Sequence, residues 1–167
     1  MTTSSSAERR TVPSADSAST LHTVRRFVLG LYAVGVAGTV ADLLLTGHID
    51  GAWQLVPVVL LATGGAALIW HLVRPTRVSL RVHQVLMVVF IASGLIGTFL
   101  HFRANIEFEL EMYPGASGLS LFWKAIQGAS PPSLAPGSMI ALGLLGLIYA
   151  YRYSPPTTAD DRTGATK

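Results

Sequence analysis

Residues 82–102 have the sequence VHQVLMVVFIASGLIGTFLHF, which contains no Asp, Glu, Lys or Arg. An α-helix rises about 1.5 Å per residue, so about 20 apolar residues cross the roughly 30 Å hydrocarbon layer of a bilayer. Three further apolar stretches occupy residues 27–46, 53–73 and 137–153, the last of them short for a span. None has the polar stripe of a helix in a soluble bundle. The sequence therefore predicts an all-α integral membrane protein, a bundle of four transmembrane helices.

The composition excludes several classes of protein. Of the 167 residues, 13% are charged and 50% are hydrophobic, and the mean hydropathy is +0.49. An ordinary soluble domain has roughly 25% charged residues. The absence of cysteine excludes disulfides, Cys-ligated zinc, iron–sulfur clusters and a thiol nucleophile. Without cysteine we expect metal chemistry through His, Asp and Glu, and no phosphate-binding glycine loop, G-x-S-x-G or H-E-x-x-H motif is present.

Basic residues predict the orientation of the spans, since short cytoplasmic segments are enriched in Lys and Arg. Ten of the 12 cations lie before the first span, between the second and third, or after the fourth. We therefore expect both termini in the cytoplasm of a multi-pass plasma-membrane protein, and residues 103–136 outside. Residues 1–24 and 154–167 are polar and are predicted to be disordered cytoplasmic tails. The ten cations are Arg9, Arg10, Arg25, Arg26, Arg74, Arg77, Arg81, Arg152, Arg162 and Lys167.

Small residues at four-residue spacing form candidate packing ridges, because helices in lipid associate through close backbone approach. The ridges predict either contacts within the bundle or self-association. They comprise Ala33, Ala37 and Ala41 in the first span, Ser93 with Gly97 and Gly94 with Thr98 in the third, and Gly137 with Ala141 and Gly146 with Ala150 in the fourth.

The predicted outer side collects polar groups that could bind a metal. If the third helix continues beyond the membrane, His101, Asn105 and Glu109 share one face. Imidazole, amide and carboxylate donors suit a divalent ion. We therefore predict a metal site formed by this row together with further ligands from the first span and the loop after it. Those further candidates are His48, Asp50 and Asp42.

Alternatives exist for the same residues. Asp42 is the only acidic residue inside a span, and a structural ion pair between Asp42 and Arg103 would satisfy it. The acidic residues at 107, 109 and 111 would otherwise form a solvated surface. Residues 106–112 alternate strictly between apolar and acidic, which is typical of an extended segment, whereas the row of His101 and Asn105 requires a helix. The sequence leaves this choice open.

His71 and His83 flank the predicted cytoplasmic loop. Paired imidazoles from two helices can bind haem b in a membrane bundle, so haem is a second candidate cofactor. Haem ligands usually lie inside the span, whereas these two residues lie at its edges beside Arg74 and Arg81. We therefore expect interfacial histidines.

The long outer segment contains a second amphipathic element. Leu119–Ile126 is too apolar for a free aqueous loop and is predicted to form a short helix in the outer membrane interface, ended by Gly128 and the prolines that follow. Membrane anchoring is its expected role, with a gate or lid as the alternative.

These features lead to one expectation about function and one alternative. We expect a small non-enzymatic transport, accessory or assembly component whose outer acidic and histidine cluster binds a cation or a partner. The alternative is a membrane enzyme or redox subunit that uses His and carboxylate ligands for a metal or haem b. The expected partners are the lipid bilayer and further copies of the chain or a larger membrane complex, and no nucleic acid.

Overall fold

The computed structural model describes residues 15–47, 51–128 and 135–153, with side chains from Ser19 onward. These residues form five α-helices and no strand, in agreement with the predicted all-α class. The helices are α1 (Ala15–Leu45), α2 (Ala52–Val73), α3 (Arg77–Met112), α4 (Gly118–Gln127) and α5 (Ala135–Ala150).

Three of these helices are long and apolar enough to cross a membrane. They are α1 from Ser19 to Leu45, α2 and α3, while α5 is a shorter apolar helix of 16 residues. Large apolar side chains lie exposed along them; Phe27 and Trp53, for example, are 75% and 79% exposed. Soluble monomers rarely expose continuous apolar surfaces of this extent. The chain is therefore a helical membrane protein with three candidate spans.

Two predicted boundaries change. α1 begins at Ala15, so the predicted disorder is wrong for residues 15–24, while residues 1–14 and 154–167 lie outside the described residues. Adding residues to an existing helix costs much less free energy than starting a new one. The polar residues before the apolar span therefore continue the same helix. α3 continues to Met112, so residues 106–112 are helical and not extended. α4 confirms the short helix predicted at 119–126.

The bundle is organised around α3, which packs on α5, α2 and α4, and α5 also packs on α1. The backbones of α3 and α5 approach closely at two glycines: Gly94 faces Pro136 and Ile140, and Gly143 faces Met87 and Ile91. These two contacts make the α3–α5 interface the most extensive in the bundle. The buried core residues are Tyr32, Leu43, Leu61, Leu68, Met87, Phe90, Met139, Leu142 and Tyr149.

α2 and α3 form a helical hairpin around a short turn at residues 74–76. A capping box begins α3: the Ser79 N–H donates to Thr76 Oγ1 at 3.1 Å, and the Thr76 N–H donates to Ser79 Oγ at 3.0 Å. We call this the hairpin end of the bundle, where α5 also ends. The opposite end, where α3 ends and α4 lies, is the cap end.

Candidate functional site

The cap end is built by α3 and α4, which are joined by residues 113–117. The Asn105 side chain is buried, and its Nδ2 donates to the Ala125 carbonyl at 2.8 Å. Lys124 Nζ lies 4.0 Å from Glu109 Oε2. The ring centres of Phe102 and Phe122 are 5.6 Å apart. These contacts hold α4 against the last turns of α3.

The predicted polar row is helical, but two of its members are engaged. Asn105 binds the backbone of α4 and Glu109 pairs with Lys124, as described above. No group of three or more His, Asp or Glu residues that could hold a metal occurs in the part of the chain that the structure describes. His48 and Asp50 lie outside that part. A metal site that combines His101, Asn105 and Glu109 with those two residues and Asp42 stays a prediction.

Arg103 forms an ion pair within its own helix, and the pair expected between Asp42 and Arg103 stays a prediction. Arg103 Nε donates to Glu107 Oε1 at 2.9 Å, one turn along α3, while Asp42 is exposed on α1. Residues four apart on a helix are neighbours, so Arg103 reaches Glu107 without any contribution from tertiary structure. Both side chains of the pair are largely exposed, and such pairs contribute little to stability.

A cavity of about 520 Å³ lies in the cap half of the bundle. Its volume falls within the roughly 300–1,000 Å³ of typical ligand sites. Most of its wall is apolar, and polar side chains come from Gln54, Ser93 and His101. The lining residues are Leu43 of α1, Trp53, Gln54, Val56, Pro57 and Leu60 of α2, Val89, Ala92, Ser93, Ile96, Gly97, Leu100, His101 and Ala104 of α3, and Ala135, Pro136 and Met139 of α5.

The cavity results from uneven packing of α2. All buried residues of α2 lie between Leu61 and His71, in the half next to the hairpin. In the other half, Val56 and Val59 are exposed. Likewise, no residue of α3 between 95 and 104 is buried. The two helices are thus packed together at the hairpin end and leave a space between them at the cap end.

The hairpin end contains a second group of polar residues, and it is fully buried. His71 and His83 are 0% exposed, and their ring centres lie 6.5 Å apart with nearly parallel planes. His71 Nδ1 lies 2.9 Å from Ser79 Oγ. Both rings lie inside the bundle, and their position at the membrane interface stays a prediction.

Aromatic side chains surround the two imidazoles. Tyr149 lies edge-on to both rings, with ring centres 6.3 Å from His71 and 6.1 Å from His83. Tyr32 approaches His83 at 6.2 Å, and Tyr153 approaches His71 at 4.9 Å. Tyr and Met side chains pack around the two rings, and three of their four nitrogen atoms are sealed from solvent.

Three imidazole nitrogen atoms in this group have no hydrogen-bond partner among the residues that the structure describes: His71 Nε2 and both nitrogens of His83. The backbone of Gly146 lies near His83 Nε2 without a hydrogen bond of standard geometry. Buried polar atoms are almost always paired, so each of these requires an explanation.

A signal for this group exists in the sequence. His71 and Ser79 lie three residues before and after the turn at 74–76, and His83 lies one helical turn beyond Ser79. A tight hairpin places such positions opposite each other. The neighbouring arginines favour an interface, but Arg74 and Arg81 are exposed while both histidines point inward.

The chain matches no protein-family model, and comparison with curated proteins and with solved structures gives no match either. The proposals below therefore rest on the residues of this chain.

Proposed function

We propose that the chain is a non-enzymatic accessory or transport component of the plasma membrane that binds one amphiphilic molecule at its cap end. The apolar chain of this molecule occupies the cavity between α2 and α3, and its polar head lies beside Gln54 and His101. The observation that carries the proposal is the cavity itself, whose wall is apolar along the helices and polar at the end near the cap.

Two features of the cavity support an amphiphile as its occupant. Its polar lining residues Gln54 and His101 come from the beginning of α2 and the later part of α3, and both positions lie toward the cap. Exposed lining residues such as Ile96 and Leu100 open the cavity to the surrounding bilayer. A membrane-dissolved ligand can therefore enter sideways without crossing water.

The proposal includes four membrane spans with both termini in the cytoplasm. α5 has 16 residues, and a short span can be accommodated by local thinning of the bilayer. This topology places the cap outside and the basic residues of the hairpin turn inside, as the distribution of cations favours.

Topology can be tested with single cysteines, because the natural chain has none. We expect a membrane-impermeant maleimide to label Gly115→Cys in intact cells, and to label Arg74→Cys and Thr166→Cys only after lysis. If α5 does not cross, Thr166→Cys will be labelled in intact cells together with Gly115→Cys. That result would leave three spans and contradict the four-span proposal.

Binding can be tested with a photoactivatable single-chain fatty acid and the full-length protein in liposomes. We expect cross-links to concentrate on cavity residues such as Val89 and Ile96. Ala92→Phe fills the cavity and should reduce labelling by about tenfold or more, the order of effect expected when a ligand loses roughly 1.4 kcal/mol of binding.

Leu95→Phe is the matched control, because Leu95 lies on the same helix, is exposed and does not line the cavity. This variant should label like the natural protein. Labels spread evenly over the exposed faces of all helices, or equal labelling of the two variants, would show that the cavity holds only bulk lipid.

A further inference from the structure

We propose that His71, His83 and Met87 form a binding site for one monovalent copper ion at the hairpin end. The site is separate from the cavity at the cap end and does not depend on the amphiphile proposed there. It accounts for two of the three buried imidazole nitrogens that have no hydrogen-bond partner among the described residues, His71 Nε2 and one nitrogen of His83.

The hydrogen bonds of Ser79 define the state of His71. Ser79 Oγ donates to the Arg74 carbonyl at 2.9 Å or to the Thr76 carbonyl at 3.0 Å, so its one proton is already used. With that proton on either carbonyl, Ser79 Oγ accepts from His71 Nδ1, 2.9 Å away, and we assign this tautomer to His71. The other nitrogen, Nε2, consequently carries a lone pair. Metal-binding histidines are commonly oriented in this way, by a hydrogen bond from the nitrogen that does not bind the metal.

The second and third ligands lie on one face of α3. His83 and Met87 are four residues apart, so their side chains are neighbours on the helix. A Cβ atom at Gly146 would overlap Met87 Sδ and would lie 3.3 Å from His83 Nε2, which places the sulfur and the nitrogen on the same side of α5. The glycine thus leaves both donor atoms room to meet.

The spacing of the rings permits a shared ion. Metal–nitrogen bonds are about 2.0–2.1 Å long and each nitrogen lies about 1.1 Å from its ring centre, so two imidazoles that bind one ion from opposite sides have ring centres about 6.3 Å apart. The observed distance of 6.5 Å is close to this limit, so the two imidazoles would bind a shared ion nearly in line, with the Met87 sulfur to one side. The nitrogen atoms of His83 and Nε2 of His71 are sealed from solvent.

Charge and softness select the ion. Two imidazoles and a thioether are neutral and comparatively soft, and thioether ligands favour monovalent copper. The aromatic neighbours of the site are also uncharged, and the guanidinium of Arg25 lies beyond one of them, 5.3 Å from the ring centre of Tyr153. The proposed ligands carry no negative charge, and Arg25 adds a positive charge nearby. A divalent ion is therefore more costly to bury here than a monovalent one.

The test is a copper titration of the full-length protein in detergent, under anaerobic reducing conditions and against a chromogenic copper chelator. We expect one ion per chain. Met87→Leu preserves side-chain volume and should weaken binding by at least about 10-fold, because removing a partner that only supports a metal ligand already costs about 10- to 100-fold. His71→Leu and His83→Leu should abolish stoichiometric binding.

Two controls separate the site from other donors. Met139→Leu alters an equally buried methionine outside the site, and His101→Leu alters a histidine at the cap end. Both should bind like the natural protein. Copper X-ray absorption supplies a second readout, in which a sulfur neighbour is present in the natural protein and lost in Met87→Leu. Binding below one ion per chain, a copper site without sulfur, or dependence on His101 would overturn the proposal.

Discussion

Gly143→Ala is expected to lower the midpoint of thermal unfolding by about 2–12 °C. A Cβ atom at this position would lie 2.6 Å from the carbonyl oxygen of Met87 and 2.6 Å from Ile91 Cγ1. The carbonyl belongs to the backbone of α3, so the clash is relieved only if α3 and α5 move apart. Overpacking of this kind costs about 1–3 kcal/mol, and in chains of this length each kcal/mol lowers the midpoint by about 2–4 °C. Circular dichroism of the protein in detergent micelles measures the change.

Gly137→Ala is the matched control on the same helix. A Cβ atom at Gly137 meets nothing within 4 Å, and alanine has a higher helix propensity than glycine. This variant should therefore be neutral or slightly more stable. An equal loss of stability in the two variants would mean that the effect of Gly143→Ala does not come from the α3–α5 interface.

Gly94→Ala tests the same interface from the other side. Its Cβ would lie 2.6 Å from the Pro136 carbonyl oxygen and 2.6 Å from Ile140 Cγ1. Because Gly94 and Gly143 belong to one pair of helices, the double variant should lose less stability than the sum of the two single losses. Once one substitution has separated the helices, the second causes a smaller steric clash.

The sequence predicts the helices of this fold better than the faces through which they pack. Four apolar stretches and the amphipathic pattern at 119–126 indicate the positions of all five helices, since helix formation in lipid depends mainly on local composition. A helix that is apolar on every side carries no polar stripe to mark its inward face. The predicted ridge of Ala33, Ala37 and Ala41 is accordingly exposed, while Tyr32 of the same helix is buried in the core.

The contacts of the two candidate sites likewise depend on how the helices pack, which local sequence does not specify. Helical spacing alone predicts that His101, Asn105 and Glu109 share one face of α3. The ion pair of Glu109 with Lys124 and the hydrogen bond from Asn105 to the Ala125 carbonyl depend on how α4 packs against α3, which spacing does not specify. The burial of His71 and His83 depends on the hairpin turn and on the position of α5. Local sequence around either histidine contains arginine, which favours an interface.

Ser79→Ala is expected to destabilise the fold by about 2–4 kcal/mol, measured as the free energy of unfolding in detergent micelles. The substitution removes two contributions. Ser79 Oγ closes the capping box at the start of α3, and losing such a cap costs about 0.5–2 kcal/mol. It also forms a hydrogen bond with His71 Nδ1, and a buried polar group left without a partner costs about 1–3 kcal/mol.

A double-mutant cycle with His71→Leu separates the two contributions to the effect of Ser79→Ala. In the His71→Leu background the buried N–H no longer exists, so Ser79→Ala should cost only the cap, about 1 kcal/mol. Thr63→Ala is the control: its hydroxyl is exposed and donates to carbonyls of its own helix, and its loss should change stability little. If Ser79→Ala costs the same with and without His71, the contact between Ser79 and His71 does not orient the imidazole. The lone pair assigned to His71 Nε2 would then lose its basis, because that assignment depends on Nδ1 donating its proton to Ser79.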